Sequence, residues 1–358
     1  MLNQSLIEYR FFPIQLLADK GNFQGGANLT KDKEVCSVVI PVFDEEENIE
    51  VLHRRLSKVL GNLCEEYEII FVDDGSTDDS LKIMRKLRET DPGVKIISFS
   101  RNFGHQIAIT AGTDYASGSA VIVMDADLQD PPEVIPKLVE KWKEGYDTVY
   151  AIRESRKDPI LKRTIAFVFY RLFKRMSDVD IPVDAGDFRL MSRRVVDILK
   201  TMPERNRYLR GLASWVGFNQ AKVMYARDER HRGERKYTLW QSTKLAFDGI
   251  TSFSRFPLEL ATQLGLVVSL VGFLYTAIII ILALVFGRVV PGWTTLMAAV
   301  LFLGGVQLIV VGIIAEYIGR IYVEVQQRPL YLIKEKIGFS KKVQEPDKSG
   351  RREAWKKN

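Results

Sequence analysis

The stretch VIVMDADLQDPPE, residues 121–133, decides the fold because it joins a strand, a polar loop and a helix start. Its first four residues are apolar, which is typical of a buried strand. Asp125 and Asp127 follow one residue apart. Since side chains alternate along an extended segment, both carboxylates are predicted to point to one side. The two adjacent prolines then favour the first turn of a helix.

Two carboxylates at the carboxyl end of a strand provide hard oxygen ligands. Mg²⁺ and Mn²⁺ prefer such ligands, together with substrate phosphates and water. We therefore predict a site for Mg²⁺ or Mn²⁺ at Asp125 and Asp127. The alternative is a solvated acidic turn that binds nothing.

Strand and helix patterns alternate on both sides of this stretch. The predicted strands are residues 36–41, 67–72, 94–99, 121–124 and 147–152. Helical periodicity is predicted for residues 46–60, from residue 78, and for residues 106–116 and 134–143. This alternation predicts an α/β fold, a doubly wound and mostly parallel sheet with helices on both faces.

Polar residues cluster directly after the predicted strands. The pairs are Asp44 with Glu45, Asp73 with Asp74, Arg101 with Asn102, and Asp125 with Asp127. Ligands of such sheets bind beyond the carboxyl ends of the strands, so one shared pocket is predicted. There is neither a GxGxxG after the first strand nor a GxxxxGK[ST] sequence, so a dinucleotide enzyme or a P-loop NTPase is unsupported. An acidic rim with a metal suits a nucleotide sugar.

Two long segments near the C-terminus carry no charge. Residues 260–287 and 289–315 lack Asp, Glu, Lys and Arg, and about 20 apolar helical residues span a bilayer core of roughly 30 Å. From Arg328 to the end there are ten Lys or Arg against four Asp or Glu. Positive residues stay on the cytoplasmic side, so both termini are predicted to be cytoplasmic in a multi-pass protein of the plasma, or inner, membrane.

The expected organisation has six parts. They are an N-terminal appendage and linker (1–33), a cytoplasmic catalytic domain (34–238), an amphipathic interface helix (239–257), two transmembrane helices (258–287 and 289–318) and a basic cytoplasmic tail (319–358). Cys36 and Cys64 lack metal-type spacing and are predicted to be reduced core thiols. The net charge of +6 suits anionic membrane lipids and phosphate substrates, and no nucleic-acid motif is present.

Three blocks resemble the signature sequences of glycosyltransferase family 2, the inverting enzymes of the GT-A fold. They are SVVIPVFDEEENI at 37–49, VDDGSTDDS at 72–80 and DADLQDPPE at 125–133. More narrowly, the chain is similar to the polyprenyl-phosphate glycosyltransferases of the GtrB type, which are related to dolichyl-phosphate mannose synthases. The narrower resemblance rests on RNFGHQIAITAG at 101–112, AGDFRLMSRR at 185–194 and GERKYTLWQ at 233–241, and the whole covers roughly residues 35–325.

The resemblance implies roles for individual positions. The residues that would hold the uridine are Pro41, Asp44, Glu45, Asp73 and Asp74. Those that would hold the metal and diphosphate are Asp125, Asp127 and Gln129, with Arg230 and Lys236 near the phosphates. The chain departs from the family in having Arg235 where Ser is usual and Asp44 where Asn is common. Asp187 stands where the family has a candidate catalytic carboxylate.

A lipid monophosphate is an acceptor that is already mostly ionised, so it needs cations more than a base. Cations follow the fifth strand at Arg153, Arg156, Lys162 and Arg163, and they are predicted to bind this phosphate, although a solvated helix face is the alternative. The predicted catalytic residues are Asp127, Asp187 and Arg153. Asp187 would act as a base or orient other groups; alternatively it caps the helix from Ser192 or pairs with Arg189. Asp158 is a weaker candidate of the same kind.

Three further patterns lie outside these motifs. Aromatic residues recur at helical spacing between Trp240 and Phe256, as in helices of the membrane interface. Residues 208–218 form either an acceptor loop that contacts lipid or a core helix. The three histidines, His53, His105 and His231, lack the spacing of metal ligands and are predicted to lie at the surface or to support other residues.

The predicted function is transfer of one hexose, glucose from UDP-glucose, to undecaprenyl or another polyprenyl phosphate with inversion. The alternatives are another donor (GDP-mannose or a UDP-aminopentose), a polysaccharide synthase, and a membrane scaffold without activity. Two spans are too few for a polymer channel. The glycines 304, 305 and 312 permit close helix approach, which leaves a homo-oligomer open.

Overall fold

The computed structural model describes residues 35–154, 185–205, 207–226, 256–286 and 292–339. The appendage (1–33) and residues 239–255 of the expected interface helix lie outside this part of the chain. Several predicted site residues lie outside it as well: Arg156, Asp158, Lys162, Arg163, Arg230, His231, Arg235 and Lys236.

Eight strands form one sheet in the order β7-β5-β6-β4-β1-β2-β3-β8. The strands are β1 (Val35–Val42), β2 (Glu66–Asp73), β3 (Val94–Phe99), β4 (Ala120–Val123), β5 (Thr148–Arg153), β6 (Ala185–Ser192), β7 (Gln220–Tyr225) and β8 (Ile333–Ile337). The pairs β1–β2, β1–β4, β2–β3 and β5–β7 are parallel. The pairs β4–β6, β5–β6 and β3–β8 are antiparallel. The predicted mostly parallel α/β sheet is confirmed.

Helices connect the strands as the alternating pattern predicts. They are α1 (Ile49–Leu63), α2 (Ser80–Thr90), α3 (His105–Tyr115), α4 (Ile135–Lys143), α5 (Arg193–Thr201) and α6 (Leu209–Trp215), followed by α7 (Phe256–Phe286) and α8 (Trp293–Gln326). In α1, buried apolar residues recur every three or four positions, at Ile49, Leu52, Leu56 and Leu60. This spacing places them on the helix face that packs against the sheet.

The sheet separates two hydrophobic layers. In β1, Val38 and Ile40 belong to the layer on one face, whereas Val39 belongs to the layer on the other face. All three are fully buried, so β1 is a central strand covered on both sides. Such strands read as continuous apolar runs, which is why the sequence locates them well.

Three strands were not predicted from the sequence: β6, β7 and β8. β7 lies at one edge of the sheet, beside β5. β6 lies between β4 and β5, within the block at 185–194. β8 lies at the sheet edge beside β3, although residues 319–358 were expected to be a basic tail. That expectation is wrong for residues 333–337, and α8 continues to Gln326. In β8 exposed and half-buried residues alternate, so its sequence lacks the apolar run of a central strand.

The reduced state predicted for the cysteines is also wrong. Cys36 lies in β1 and Cys64 caps the carboxyl end of α1. The fold brings their Cα atoms to 6.4 Å, and the two residues form a disulfide. This separation lies within the range that a disulfide spans, and the spacing in the sequence gave no sign of it.

The two apolar segments form long helices. Residues 257–282 and 302–326 are long and apolar enough to cross a membrane. At about 1.5 Å per residue, helices of 31 and 34 residues exceed a bilayer core of roughly 30 Å. The glycines at 304, 305 and 312 have open space where a Cβ would stand, so they do not serve contacts within the described chain. Oligomerisation stays a prediction.

Candidate active site

Polar residues converge on the carboxyl edge of the parallel strands, as predicted. Asp187 reaches this edge from an antiparallel strand. Val123 of β4 pairs with Arg189 of β6. Asp125 lies two residues after Val123, beyond the carboxyl end of β4. Asp187 lies two residues before Arg189, near the start of β6. Opposite strand directions therefore bring residues 62 positions apart in the chain to the same place.

His105, Asp125 and Asp187 form a cluster of potential metal ligands. Their ligand atoms all lie within 4.8 Å of one another. Nε2 of His105 is 3.3 Å from Oδ1 of Asp125 and 3.3 Å from Oδ2 of Asp187. Spacing in the sequence did not place His105 among the potential ligands, whereas the structure brings it into this cluster. His105 is the first residue of α3, and that helix begins at the carboxyl edge just after β3.

The charges in this cluster shift one another's protonation. Burial alone would lower the pKa of His105, but Asp125 and Asp187 favour the protonated ring and raise its pKa to about 9. Burial raises the pKa of Asp125 to about 6, against the opposing effect of His105. Burial would also raise the pKa of Asp187, but Arg210 and His105 hold it well below its usual range. Without a metal, protonated His105 is a positive charge between two acids.

The residues present fit a divalent cation. Oδ1 of Asp125 is buried and accepts no hydrogen bond in the described part of the chain. An acceptor of this kind is costly unless a ligand satisfies it. Asp127 lies close enough to Asp125 to raise its pKa, and Oδ1 of Asp127 accepts the backbone N–H of Gln129 at 3.1 Å. Carboxylate oxygens suit Mg²⁺ and Mn²⁺, with an imidazole as an added ligand.

Asp187 is held by a bidentate ion pair. Arg210 donates from Nε to Oδ1 at 2.9 Å and from Nη2 to Oδ2 at 2.8 Å. Nε2 of Gln106 lies 3.4 Å from both oxygens. The cap at the amino end of α5 is Ser192 and not Asp187. The side chain of Ser192 accepts a hydrogen bond from the N–H of Val195. Asp187 is therefore a buried site residue rather than a helix cap.

Arg210 comes from the segment for which two interpretations were open. Residues 209–215 form α6, and Leu209, Leu212 and Ala213 are buried in the core. The core-helix alternative is correct for this part. The side chain of Gln106 also accepts the N–H of Leu209 at 3.1 Å, which joins α6 to the start of α3.

The loops beside this cluster are held in place by the acidic residues that were expected to bind a nucleotide. Asp73 accepts hydrogen bonds from the N–H of Ser76 at 2.9 Å and the hydroxyl of Ser98 at 2.7 Å. Asp44 has a positive φ of 52° and accepts the N–H of Thr77 at 2.7 Å. Pro41 lies buried in β1 and pairs with Val72, and the N–H of Glu45 donates to the hydroxyl of Ser80 at 3.0 Å.

Asp74 holds the loop that leads into α3. Its two oxygens accept the N–H groups of Phe103 at 2.6 Å and Gly104 at 2.9 Å. Burial raises the pKa of Asp74, and these two hydrogen bonds oppose the shift. Gly75 follows Asp74 and lies against the backbone of the β3 loop. A Cβ at Gly75 would stand 2.7 Å from the carbonyl carbon of Arg101. The β2 loop and the β3 loop therefore pack backbone to backbone, and the role of these acids toward a uridine stays a prediction.

Arg153 lies beside the cluster, at the end of β5. Its Nη2 is 3.8 Å from Oδ1 of the fully buried Asp130, and its Nε donates to the hydroxyl of Tyr225 at 3.4 Å. The charge of Asp125 contributes to the raised pKa of Arg153. Asp130, Tyr225, Arg210 and Gln106 were not singled out from the sequence. Gln106 and Asp130 could have been, since Gln106 begins the helix predicted after the third strand and Asp130 lies in the loop after the fourth.

The chain matches known proteins over most of its length. Residues 37–199 match the family described as glycosyl transferase family 2, and residues 256–321 match the GtrB C-terminal hairpin. The uncharacterized glycosyltransferase YkcC of Bacillus subtilis is 52% identical over 86% of this chain and 95% of its own. The SfII prophage-derived bactoprenol glucosyl transferase of Shigella flexneri is 50% identical over 83% and 97%.

Among solved structures, glucosyl-3-phosphoglycerate synthase from Mycobacterium tuberculosis, in complex with Mn²⁺, UDP and phosphoglyceric acid, matches with a TM-score of 0.41 and 21% identity. The match covers 56% of this chain and 72% of that one.

The family match over residues 37–199 and the two relatives that are 50% and 52% identical show that the protein is a glycosyltransferase. The chain belongs to glycosyltransferase family 2. Within that family it carries the GtrB C-terminal hairpin, formed by α7 and most of α8.

Proposed function

We propose that this glycosyltransferase moves one glucose from UDP-glucose to a polyprenyl phosphate at the cytoplasmic membrane face, with inversion. The observation that carries the proposal is the position of Arg153 beside the Asp125 cluster, where a cation would bind an acceptor phosphate next to a donor diphosphate held by a metal. The relatives named bactoprenol glucosyl transferase support the same acceptor class.

The donor would occupy the rim formed by the loops after β1, β2 and β4. Asp125 and Asp127, with Gln129 and His105 beside them, would hold Mg²⁺ or Mn²⁺. When bound, that ion neutralises charge on the departing nucleoside diphosphate. Asp73 and Asp74 keep the neighbouring loops ordered, so the rim is formed before the donor arrives. Preorganised charge of this kind stabilises the transition state without further rearrangement.

The acceptor would approach from the side of Arg153. A phosphate monoester is mostly ionised near neutral pH, since its second pKa is about 6. Its oxygen can therefore attack the anomeric carbon without first giving up a proton. Both oxygens of Asp187 are engaged by Arg210, so Asp187 orients the cluster rather than acting as a base. With Asp187 engaged in this way, a phosphate is favoured over a sugar hydroxyl as the nucleophile, because a phosphate needs no base.

The membrane helices would bring the lipid to the site. α7 and α8 would cross the bilayer with both ends on the cytoplasmic side, as the basic residues after Arg328 indicate. α8 leads directly into β8, which is part of the catalytic sheet. The lipid phosphate in the headgroup layer and the carboxyl edge of the sheet would then share one side of the membrane.

The test is incubation of membranes that contain the protein with polyprenyl phosphate and a panel of radiolabelled UDP- and GDP-sugars. We expect label from UDP-glucose in the lipid extract, and none with the Asp127→Ala variant. Label from GDP-mannose or a UDP-aminopentose instead would correct the donor. Absence of labelled lipid with every donor would refute the proposed function.

A further inference from the structure

Arg153, Tyr225 and Asp130 form a cluster of their own at the carboxyl edge. Asp130 is fully buried in the loop after β4, and Tyr225 is buried at the end of β7. Arg153 ends β5, and 20% of its side chain is exposed. Three segments of the sheet therefore meet here, and of the three side chains Arg153 is the one that reaches solvent.

The hydroxyl of Tyr225 stands between the two charges. It accepts a hydrogen bond from Nε of Arg153 at 3.4 Å and donates one to Oδ1 of Asp130. Nη2 of Arg153 is 3.8 Å from the same oxygen, whereas a direct charge-assisted hydrogen bond measures about 2.7–2.9 Å. The tyrosine hydroxyl therefore bridges the two members of this ion pair.

The backbone of β6 confines the guanidinium on another side. A Cβ at Gly186 would stand 3.3 Å from Nη2 of Arg153. Gly186 immediately precedes Asp187, so the guanidinium lies against the strand that carries Asp187. A guanidinium held in position loses less side-chain freedom when it binds a phosphate.

We propose that Tyr225 and Asp130 are positioning residues that hold Arg153 for the phosphate of the acceptor. Asp130 pairs with the guanidinium at 3.8 Å, and the hydroxyl of Tyr225, which is hydrogen-bonded to both groups, fixes the orientation of Arg153. The inference rests on the proposed function, because it takes Arg153 as the residue that binds the acceptor phosphate.

The test uses Tyr225→Phe in the full-length protein, with polyprenyl phosphate and UDP-glucose varied separately. We expect the KM for polyprenyl phosphate to rise about tenfold, as for loss of a hydrogen bond to a charged group. The KM for UDP-glucose and kcat should stay within about twofold, because the change acts on acceptor binding. Gly186→Ala should raise the same KM, which provides a second variant if Tyr225→Phe does not fold.

A double variant separates positioning from general support. Adding Tyr225→Phe to Arg153→Ala should cause no further loss, because the hydroxyl acts through the arginine. The matched control is Tyr67→Phe, which removes a tyrosine hydrogen bond to Asp91 of 3.2 Å at the amino end of β2. It should leave both KM values unchanged.

The outcomes distinguish the inference from the function on which it rests. If Arg153→Ala raises the KM for polyprenyl phosphate but Tyr225→Phe and Gly186→Ala do not, the inference is wrong and the proposed function stands. Additive losses in the double variant, or equal loss of affinity for both substrates, would also overturn the inference. If Arg153→Ala leaves the acceptor KM unchanged, the assignment of Arg153 in the proposed function itself fails.

Discussion

At the scale of single residues, His105 shows what the sequence could not reveal. His105 is 20 positions from Asp125 in the chain and 82 positions from Asp187, so no local spacing links the three residues. The acids after the strands were predictable, because parallel strands end at one edge. To predict that His105 joins these acids, one must also know where α3 begins. To predict that Arg210 does so, one must know the position of α6, which only packing determines.

The cluster predicts a metal role for His105. In His105→Ala we expect the Mn²⁺ concentration for half-maximal transfer to rise by about 10- to 100-fold, the effect of altering residues that support a metal site. Direct titration of Mn²⁺ binding should show the same shift.

The matched control for this experiment is His53→Ala. Nε2 of His53 lies 2.9 Å from Oδ2 of Asp91, away from the carboxyl edge. Loss of the His53 side chain should therefore leave the Mn²⁺ requirement unchanged. An unchanged requirement in His105→Ala would show that the imidazole is not a ligand.

At the scale of elements, the central strands and their helices followed from apolar periodicity, whereas β6, β7 and β8 did not. β6 carries Asp187 and the fully buried Arg189 in its interior, so its pattern resembles a polar loop. The described residues offer no hydrogen-bond acceptor to the guanidinium of Arg189. Function places polar residues in this strand, and that is where pattern reasoning fails.

Close packing of α3 on β1 predicts the effect of a larger residue at Gly112. A Cβ there would stand 2.2 Å from Cγ1 of the buried Val39. We expect Gly112→Ala to destabilise the protein by about 1–3 kcal/mol, the usual result of overpacking a core. The control, Gly61→Ala in α1, meets nothing within 4 Å and should stabilise by about 0.5–1 kcal/mol. Equal thermal stability of the two variants would contradict this packing.

A buried carboxylate at the opposite edge joins three strands and predicts a pH dependence. Glu68 of β2 accepts hydrogen bonds from Ser37, Lys95 and the N–H of Ser117. Burial would raise its pKa, but these partners lower the pKa below the ordinary value of 4.5. A lowered pKa in the folded state stabilises the protein above the unfolded pKa, and this stabilisation is lost as the pH falls through the folded pKa.

Glu68→Gln should therefore cost about 2 kcal/mol at neutral pH. Its difference from the natural protein should shrink below pH 4.5. Thermal unfolding at a series of pH values measures this, with the exposed Glu65→Gln as the control. A difference that is constant with pH would mean that the charge of Glu68 contributes nothing.

At the scale of the whole molecule, the chain after the second membrane helix returns to the catalytic sheet. Glu324 of α8 accepts the N–H of Arg205 at 2.7 Å. Tyr331 stacks on Phe99 with ring centroids 5.3 Å apart, and its hydroxyl donates to Asp114 at 3.0 Å. The hairpin and the catalytic sheet are thus joined by packing as well as by the chain.

Tyr331→Ala should loosen this junction. Loss of a partly buried aromatic ring costs about 2–3 kcal/mol, slightly less than for a fully buried one. We expect faster hydrogen exchange at the amides of β8 and earlier proteolytic cleavage near Leu332. The exposed Leu332→Ala should leave both unchanged. Unchanged exchange in Tyr331→Ala would show that β8 is held by its strand pairing alone.

The most direct measurement is transfer of labelled glucose from UDP-glucose to polyprenyl phosphate by the purified protein, with and without a chelator. We predict that the chelator abolishes transfer, that Mg²⁺ or Mn²⁺ restores it, and that Asp125→Asn remains folded but inactive under every condition. Full transfer in the chelator, or full activity of Asp125→Asn, would contradict the account.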